Sequence, residues 1–171
     1  LPYLDGGMPD IIHCNDWQTG LIPCLIKTKY HLNIKTVFTI HNLMYRGIYG
    51  TDVLRDLLGL EDYLFTSEYL EFYGGCSYLK AGLIFSDKIT TVSATYRNET
   101  LSSGCGEGME GVLNKRQQDY VGIVNGIGNE FSPETDKKIY KNYSVKSLKA
   151  KAECKSLLQK ELGLTVDGET P

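Results

Sequence analysis

An open α/β fold built on a parallel sheet is predicted by two features of this sequence. The first is a set of four short apolar or β-branched runs, DIIHC at 10–14, TVFTI at 36–40, KITTV at 88–92 and YVGIV at 120–124. Runs of this length without polar alternation fit strands covered on both faces. The second is the segment 17–30, where Leu21, Ile22, Leu25 and Ile26 fall on helical spacing. Strand, helix and strand in that order make a βαβ unit, whose strands run parallel.

The remaining elements follow in order. A long connection carries a helix at 52–60 and an aromatic-rich stretch at 63–73. Residues 78–85 are apolar and helical, 94–101 turn into a helix after the third strand, and 110–117 form another. Asn125-Gly126 closes the fourth strand. A long amphipathic helix spans 144–162, with Ser144 as N-cap and Gly163 just past its end. Residues 165–171 are polar and resemble a linker.

The 171 residues suffice for one domain with a real core. A net charge of −3, without a dense Lys/Arg run, gives no reason to expect nucleic acid or an anionic membrane as partner. No apolar run approaches membrane-spanning length. The five cysteines are scattered without CxxC pairing, which suits reduced thiols in a cytoplasmic protein.

Open parallel sheets bind ligands beyond the carboxyl ends of their strands. Those ends carry Asn15, Asp16 and Trp17, then His41 and Asn42, then Ser93, then Asn125 and Gly126. One rim would collect them into a polar ligand site. Plainer roles compete at each position. Asn15 or Asp16 suits an ordinary N-cap, His41-Asn42 a strand-to-loop cap, Trp17 a core plug, and Asn125-Gly126 a turn.

Neither the glycine pair at 74–75 nor the glycines at 104–108 match a dinucleotide or P-loop pattern. No metal site is expected. His13 and Cys14 are adjacent on a strand and point to opposite faces, and no zinc-type ligand spacing occurs. There is no Gly-x-Ser-x-Gly elbow.

Longer segments carry a family resemblance. PDIIHCNDWQTGLIP at 9–23 resembles the PD-hydrophobic-HxHDWHxGLxP segment of bacterial glycogen synthases and plant starch synthases. TVFTIHNLMYRGIYG at 36–50 is similar to their VFTIHNLAYQGxF. The stretch 71–99 resembles EFxGxxxFLKAGLxxADxxTTVSPTYAxE, 108–113 and 121–126 resemble GxxGxL and GxLNG, and 149–164 resembles KAxxKxxLQxxLGL. The motifs run in order over nearly the whole chain.

The resemblance implies a partial Rossmann-like parallel sheet with flanking helices, the second half of the N-terminal domain of a B-type two-domain glycosyltransferase. It assigns residues 1–164 to that partial domain and 165–171 to the start of an interdomain linker. The first strands of the domain and the whole C-terminal domain would lie outside the chain. The implied reaction is retaining transfer of glucose from ADP-glucose to the non-reducing end of an α-1,4-glucan, without metal or cofactor, in the cytoplasm (or a plastid in a plant). The fragment alone would be inactive.

By this resemblance His41 matches the histidine beside the C6 hydroxyl of the transferred glucosyl group. Asn42 and Asn125 match residues lining the glucosyl pocket, and Asp16 an acidic residue on the acceptor side. The chain departs from the pattern at Asn15 and Gln18, where the family usually or often has His, at Ala94 for Pro, at Glu107 for an aromatic residue or Gly, and at Gly128 for Asp. Two alternatives stand beside this. One is a related retaining transferase forming sucrose or trehalose, against which the HNL and LKAG segments argue. The other is a non-catalytic glucan- or nucleotide-binding Rossmann module.

Overall fold

The computed structural model describes residues 7–170. They divide between Asn125 and Gly126 into two compact units. In chain order the first contains β1 (Ile11–Asn15), α1 (Asp16–Thr19), α2 (Leu21–Thr28), β2 (Lys35–Ile40), β3 (Ile48–Tyr49), β4 (Glu71–Phe72), β5 (Gly75–Ser77), α3 (Tyr78–Phe85), β6 (Lys88–Thr91), α4 (Ala94–Glu99), α5 (Glu110–Lys115) and β7 (Tyr120–Gly122).

The expected sheet is present. Its order is β1-β2-β6-β7, every pair parallel, so the four strands lie side by side in sequence order. The register sets Cys14 opposite Phe38, Phe38 opposite Ile89 and Ile89 opposite Tyr120. That row is buried across all four strands and packs with Leu79 and Leu83 of α3 and Leu113 of α5. The opposite face carries Asn15, Thr39, Thr90 and Val121 in register. A hydroxyl chain runs along it, from His13 Nε2 to Thr39 Oγ1 at 2.6 Å and on to Thr90 Oγ1 at 2.6 Å. Ile11 of β1 and Val121 of β7, the two edge strands, are 60% and 52% exposed on this face.

Two expectations about this unit's elements are corrected. The single helix across 17–30 is two, α1 and α2, broken at Gly20. A Cβ at Gly20 would lie 2.0 Å from the Tyr78 carbonyl oxygen, so the glycine admits the start of α3. The helix expected at 52–60 is a five-residue π-helical turn, Val53–Leu57. The aromatic stretch that follows holds a 3₁₀ turn at Asp62–Leu64 and β4. With β3 and β5 it makes a small antiparallel sheet of order β3-β5-β4. This connection has its own core, in which Leu54, Leu60, Leu64 and Leu70 meet Cys24 and Cys76. Lys80 of α3 reaches into it, only 4% exposed, and donates to the Ser67 and Glu71 carbonyls at 2.6 and 2.7 Å.

The second unit contains two 3₁₀ turns, Asn129–Phe131 and Val145–Ser147, and α6 (Lys149–Glu161). Ser144 makes a reciprocal capping box with Ser147 and opens the 3₁₀ turn rather than a continuous α-helix, and α6 starts at Lys149. Gly163 has φ +68 just beyond Leu162, the left-handed residue expected after the helix end. Asn142 Nδ2 donates to Pro133 O and Asp136 O, and Lys141 pairs with Glu153 at 2.6 Å.

At the amino end of the sheet, Asp87 joins β2 to the approach of β6. Its Oδ2 accepts from Thr36 N–H at 2.8 Å and from Thr36 Oγ1–H at 2.9 Å, and Lys27 lies 3.4 Å from Oδ1. Burial alone would raise its pKa, but the Thr36 hydrogen bonds and Lys27 together hold it below the usual 3.8. A depressed carboxylate contributes stability that is full above its unfolded value and is lost as pH falls through its folded value. Resistance to urea should therefore fall as pH drops below about 4. Asp87→Asn should be less stable at neutral pH and show a shallower acid slope. An unchanged slope would mean that Asp87 does not carry this coupling.

Candidate functional site

All four strands point their carboxyl ends to one rim, and the residues that end β1 and follow β1 and β2 meet there. The sharpest geometry lies where β1 passes into α1. Asp16 has φ +54, the left-handed region, which Asp tolerates better than most residues because its short polar side chain bonds locally. Its Oδ1 accepts the backbone N–H of His41 at 2.8 Å. Asn15 Oδ1 lies 3.0 Å from His41 Nε2. Two adjacent residues of one strand end thus hold His41 by its backbone and its ring, and the His41 side chain stays exposed.

The turn after β2 is fixed from three sides. Asn42 Oδ1 accepts from Met44 N–H at 3.0 Å, an Asx turn. Leu43 is fully buried in the main core, and its N–H donates to Tyr96 Oη of α4 at 3.1 Å. Thr91 Oγ1 donates to the Ile40 carbonyl at 2.8 Å. Trp17 and Gly47 pack together. Gly47 has φ +56, and a Cβ there would lie 2.3 Å from the indole. Trp17 also neighbours Tyr49 at 6.1 Å between ring centroids, so its role here is packing.

Each expected site residue can now be placed. Asp16 and His41 are in direct contact. Asn42 is next in chain and exposed, with its amide oxygen committed to its own turn. Asn125 lies three residues past β7, exposed and at the end of the first unit, on the same rim by strand polarity but without a hydrogen bond to the others among the described residues. Ser93 caps α4, its Oγ accepting from Tyr96 N–H at 2.9 Å. Sequence reasoning missed Tyr96 and the bond from Asn15 to His41. No local signal marks Tyr96, which lies 53 residues from the N–H it accepts. Among the described residues no group of three or more His, Cys, Asp or Glu gathers in metal-binding geometry.

Fold and rim define a class: an open parallel α/β protein with polar residues gathered at the carboxyl ends of its strands, where such sheets bind ligands. Comparison with known proteins narrows it. The starch synthase catalytic domain family matches residues 1–115. A glycogen synthase of Exiguobacterium sibiricum is 49% identical over 171 residues, covering 96% of this chain and 35% of its own length. A glycogen synthase of Fervidobacterium nodosum is 52% identical over 161 residues, covering 91% and 33%. Among solved structures, the catalytic domain of starch synthase IV from Arabidopsis thaliana, bound to ADP and acarbose, superposes with a TM-score of 0.77 at 33% identity, covering 94% of this chain and 34% of that one. The chain belongs to the starch synthase catalytic domain family. It spans about a third of the length of the curated relatives it matches.

The left-handed backbone of Asp16 gives a direct test. Asp16→Gly and Asp16→Ala both lose the hydrogen bond to His41 N–H, but only alanine resists φ +54. Urea unfolding should find Asp16→Ala less stable than Asp16→Gly by about 1 kcal/mol. Equal stabilities, or the reverse order, would show that this corner is not left-handed in solution.

Proposed function

We propose that the full protein is a retaining α-glucan synthase that transfers glucose from ADP-glucose to the non-reducing 4-hydroxyl of an α-1,4-glucan. The observation that carries this reading is the hold of Asn15 and Asp16 on His41 at the sheet rim, in a chain of the starch synthase catalytic domain family. Further support comes from the relatives named glycogen synthase and from the neighbour that binds ADP and acarbose.

In this reading the bond from the anomeric carbon to the diphosphate breaks, a bond to the glucan 4-oxygen forms, and the 4-hydroxyl proton passes to the departing diphosphate. His41 orients the glucosyl group and stabilises it as positive charge develops, by hydrogen bonding and not by nucleophilic attack. Asn42 and Asn125 line the glucosyl pocket, and Asp16 serves the acceptor side while holding the His41 backbone. No metal or cofactor takes part. The diphosphate is held by cationic side chains and helix N-termini of segments outside this chain. The first strands of the domain and a second domain complete the site, and the cytoplasm (or a plastid) is its compartment.

Steady-state assays of the full-length protein with ADP-glucose, UDP-glucose and a glucan primer test this. His41→Ala should lower kcat about a hundredfold, as expected for a hydrogen bond made mainly in the transition state, with its unfolding curve unchanged. The 171-residue chain alone should transfer nothing. Normal turnover by His41→Ala would reduce the histidine to a strand cap. Absence of glucosyl transfer by the intact protein would favour a binding module.

A further inference from the structure

The His41 ring meets one protein group among the described residues, the amide oxygen of Asn15. A carbonyl oxygen only accepts, so Nε2 carries the hydrogen, and in the neutral ring Nδ1 then keeps the lone pair. Asn15 stands at the N-cap position of α1 but makes no side-chain cap there. Thr19 Oγ1 closes that corner instead, lying 2.7 Å from both the N and the O of Asn15. The Asn15 amide is thereby left for the ring, while the neighbouring Asp16 fixes the backbone of the same histidine.

We propose that Asn15 is a positioning residue for glucosyl transfer. By accepting from Nε2–H it fixes the tautomer and the plane of the His41 ring, and leaves Nδ1 as the nitrogen that accepts from a sugar hydroxyl. The inference rests on the role given to His41 above. Asn15 acts only through that ring. An unheld imidazole divides its population between two tautomers and several rotamers, and only part of it is competent at any moment. The loss falls on kcat, because ring orientation matters most where charge develops.

The test uses the full-length protein with labelled histidine nitrogens, long-range proton–nitrogen spectra, and kinetics with ADP-glucose and a glucan primer. The His41 signals are assigned by their absence in His41→Ala. In the unmodified protein His41 should be protonated at Nε2. Asn15→Leu should give mixed tautomers and lower kcat about tenfold, the worth of one hydrogen bond, with KM for ADP-glucose within about twofold. Asn15→Asp keeps an acceptor oxygen in place and should restore the Nε2–H bond, with turnover recovering as pH rises, because its negative charge favours a second proton on Nδ1. In a His41→Ala background, Asn15→Leu should add no further loss. Unfolding curves check that each variant is folded. The proposal is overturned if Asn15→Leu leaves the tautomer and kcat unchanged. It is equally overturned if Asn15→Leu costs the same factor with His41 absent, since Asn15 would then have a contact of its own. Normal kcat in His41→Ala would instead remove the functional reading beneath it, a separate result.

Discussion

The rim depends on one hydrogen bond, from the His41 N–H to the Asp16 carboxylate. A parallel strand pair ends with its last peptide groups beyond the ladder, and those groups need partners. Here Asp16, the first residue after β1, supplies one from its side chain, with its own backbone left-handed. The strain and the bond arise together at that residue. Once His41 N–H is held, the next residues have a fixed exit. Asn42 turns onto Met44 N–H, Leu43 drops into the core, and Tyr96 receives the Leu43 N–H. The polar side chains therefore face outward because an apolar one, Leu43, faces inward beside them.

Much of this was legible in the sequence, for physical reasons. Buried parallel strands must be apolar and β-branched, so 36–40 and 88–92 announce themselves, and strand polarity then places His41 and Asp16 on one rim without any coordinates. The small antiparallel sheet was not legible. Its strands have two or three residues, too few to show alternation, and Gly74-Gly75 end the aromatic run. The need for glycine at 20 depends on a carbonyl 58 residues away, which no local pattern encodes. Asn15 illustrates the same limit inside the site. It has a good capping side chain at an N-cap position, and local chemistry favours that use. A ring 26 residues along the chain takes the side chain instead.

Two departures from the family pattern are connected through the same turn. Arg46, where the resembling motif has Gln, donates to the Glu107 carboxylate at 2.6 Å and through Nε to the Glu107 carbonyl at 3.2 Å. Glu107 has φ +53, a conformation that Gly would adopt without strain and Glu adopts at roughly 1–2 kcal/mol. The doubled contact with a half-buried guanidinium offsets that cost. The guanidinium also lies 5.6 Å from the centre of the Phe72 ring. A cation that bonds both a side chain and a carbonyl fixes position as well as charge. The far end of the His41 turn is thus tied to the glycine-rich loop before α5.

Gly128 answers differently. Its φ is −70, an ordinary value for any residue, so the backbone does not require glycine there. What occupies the space is Glu130, whose carboxylate oxygen would lie 2.2 Å from a Cβ at 128. An Asp at 128 would have to displace a neighbouring carboxylate and then stand beside a like charge, both unfavourable. Glu130 ends in a flexible chain and can swing away, so the exclusion is electrostatic more than steric. Glycine at 128 thus leaves the space that the Glu130 carboxylate occupies.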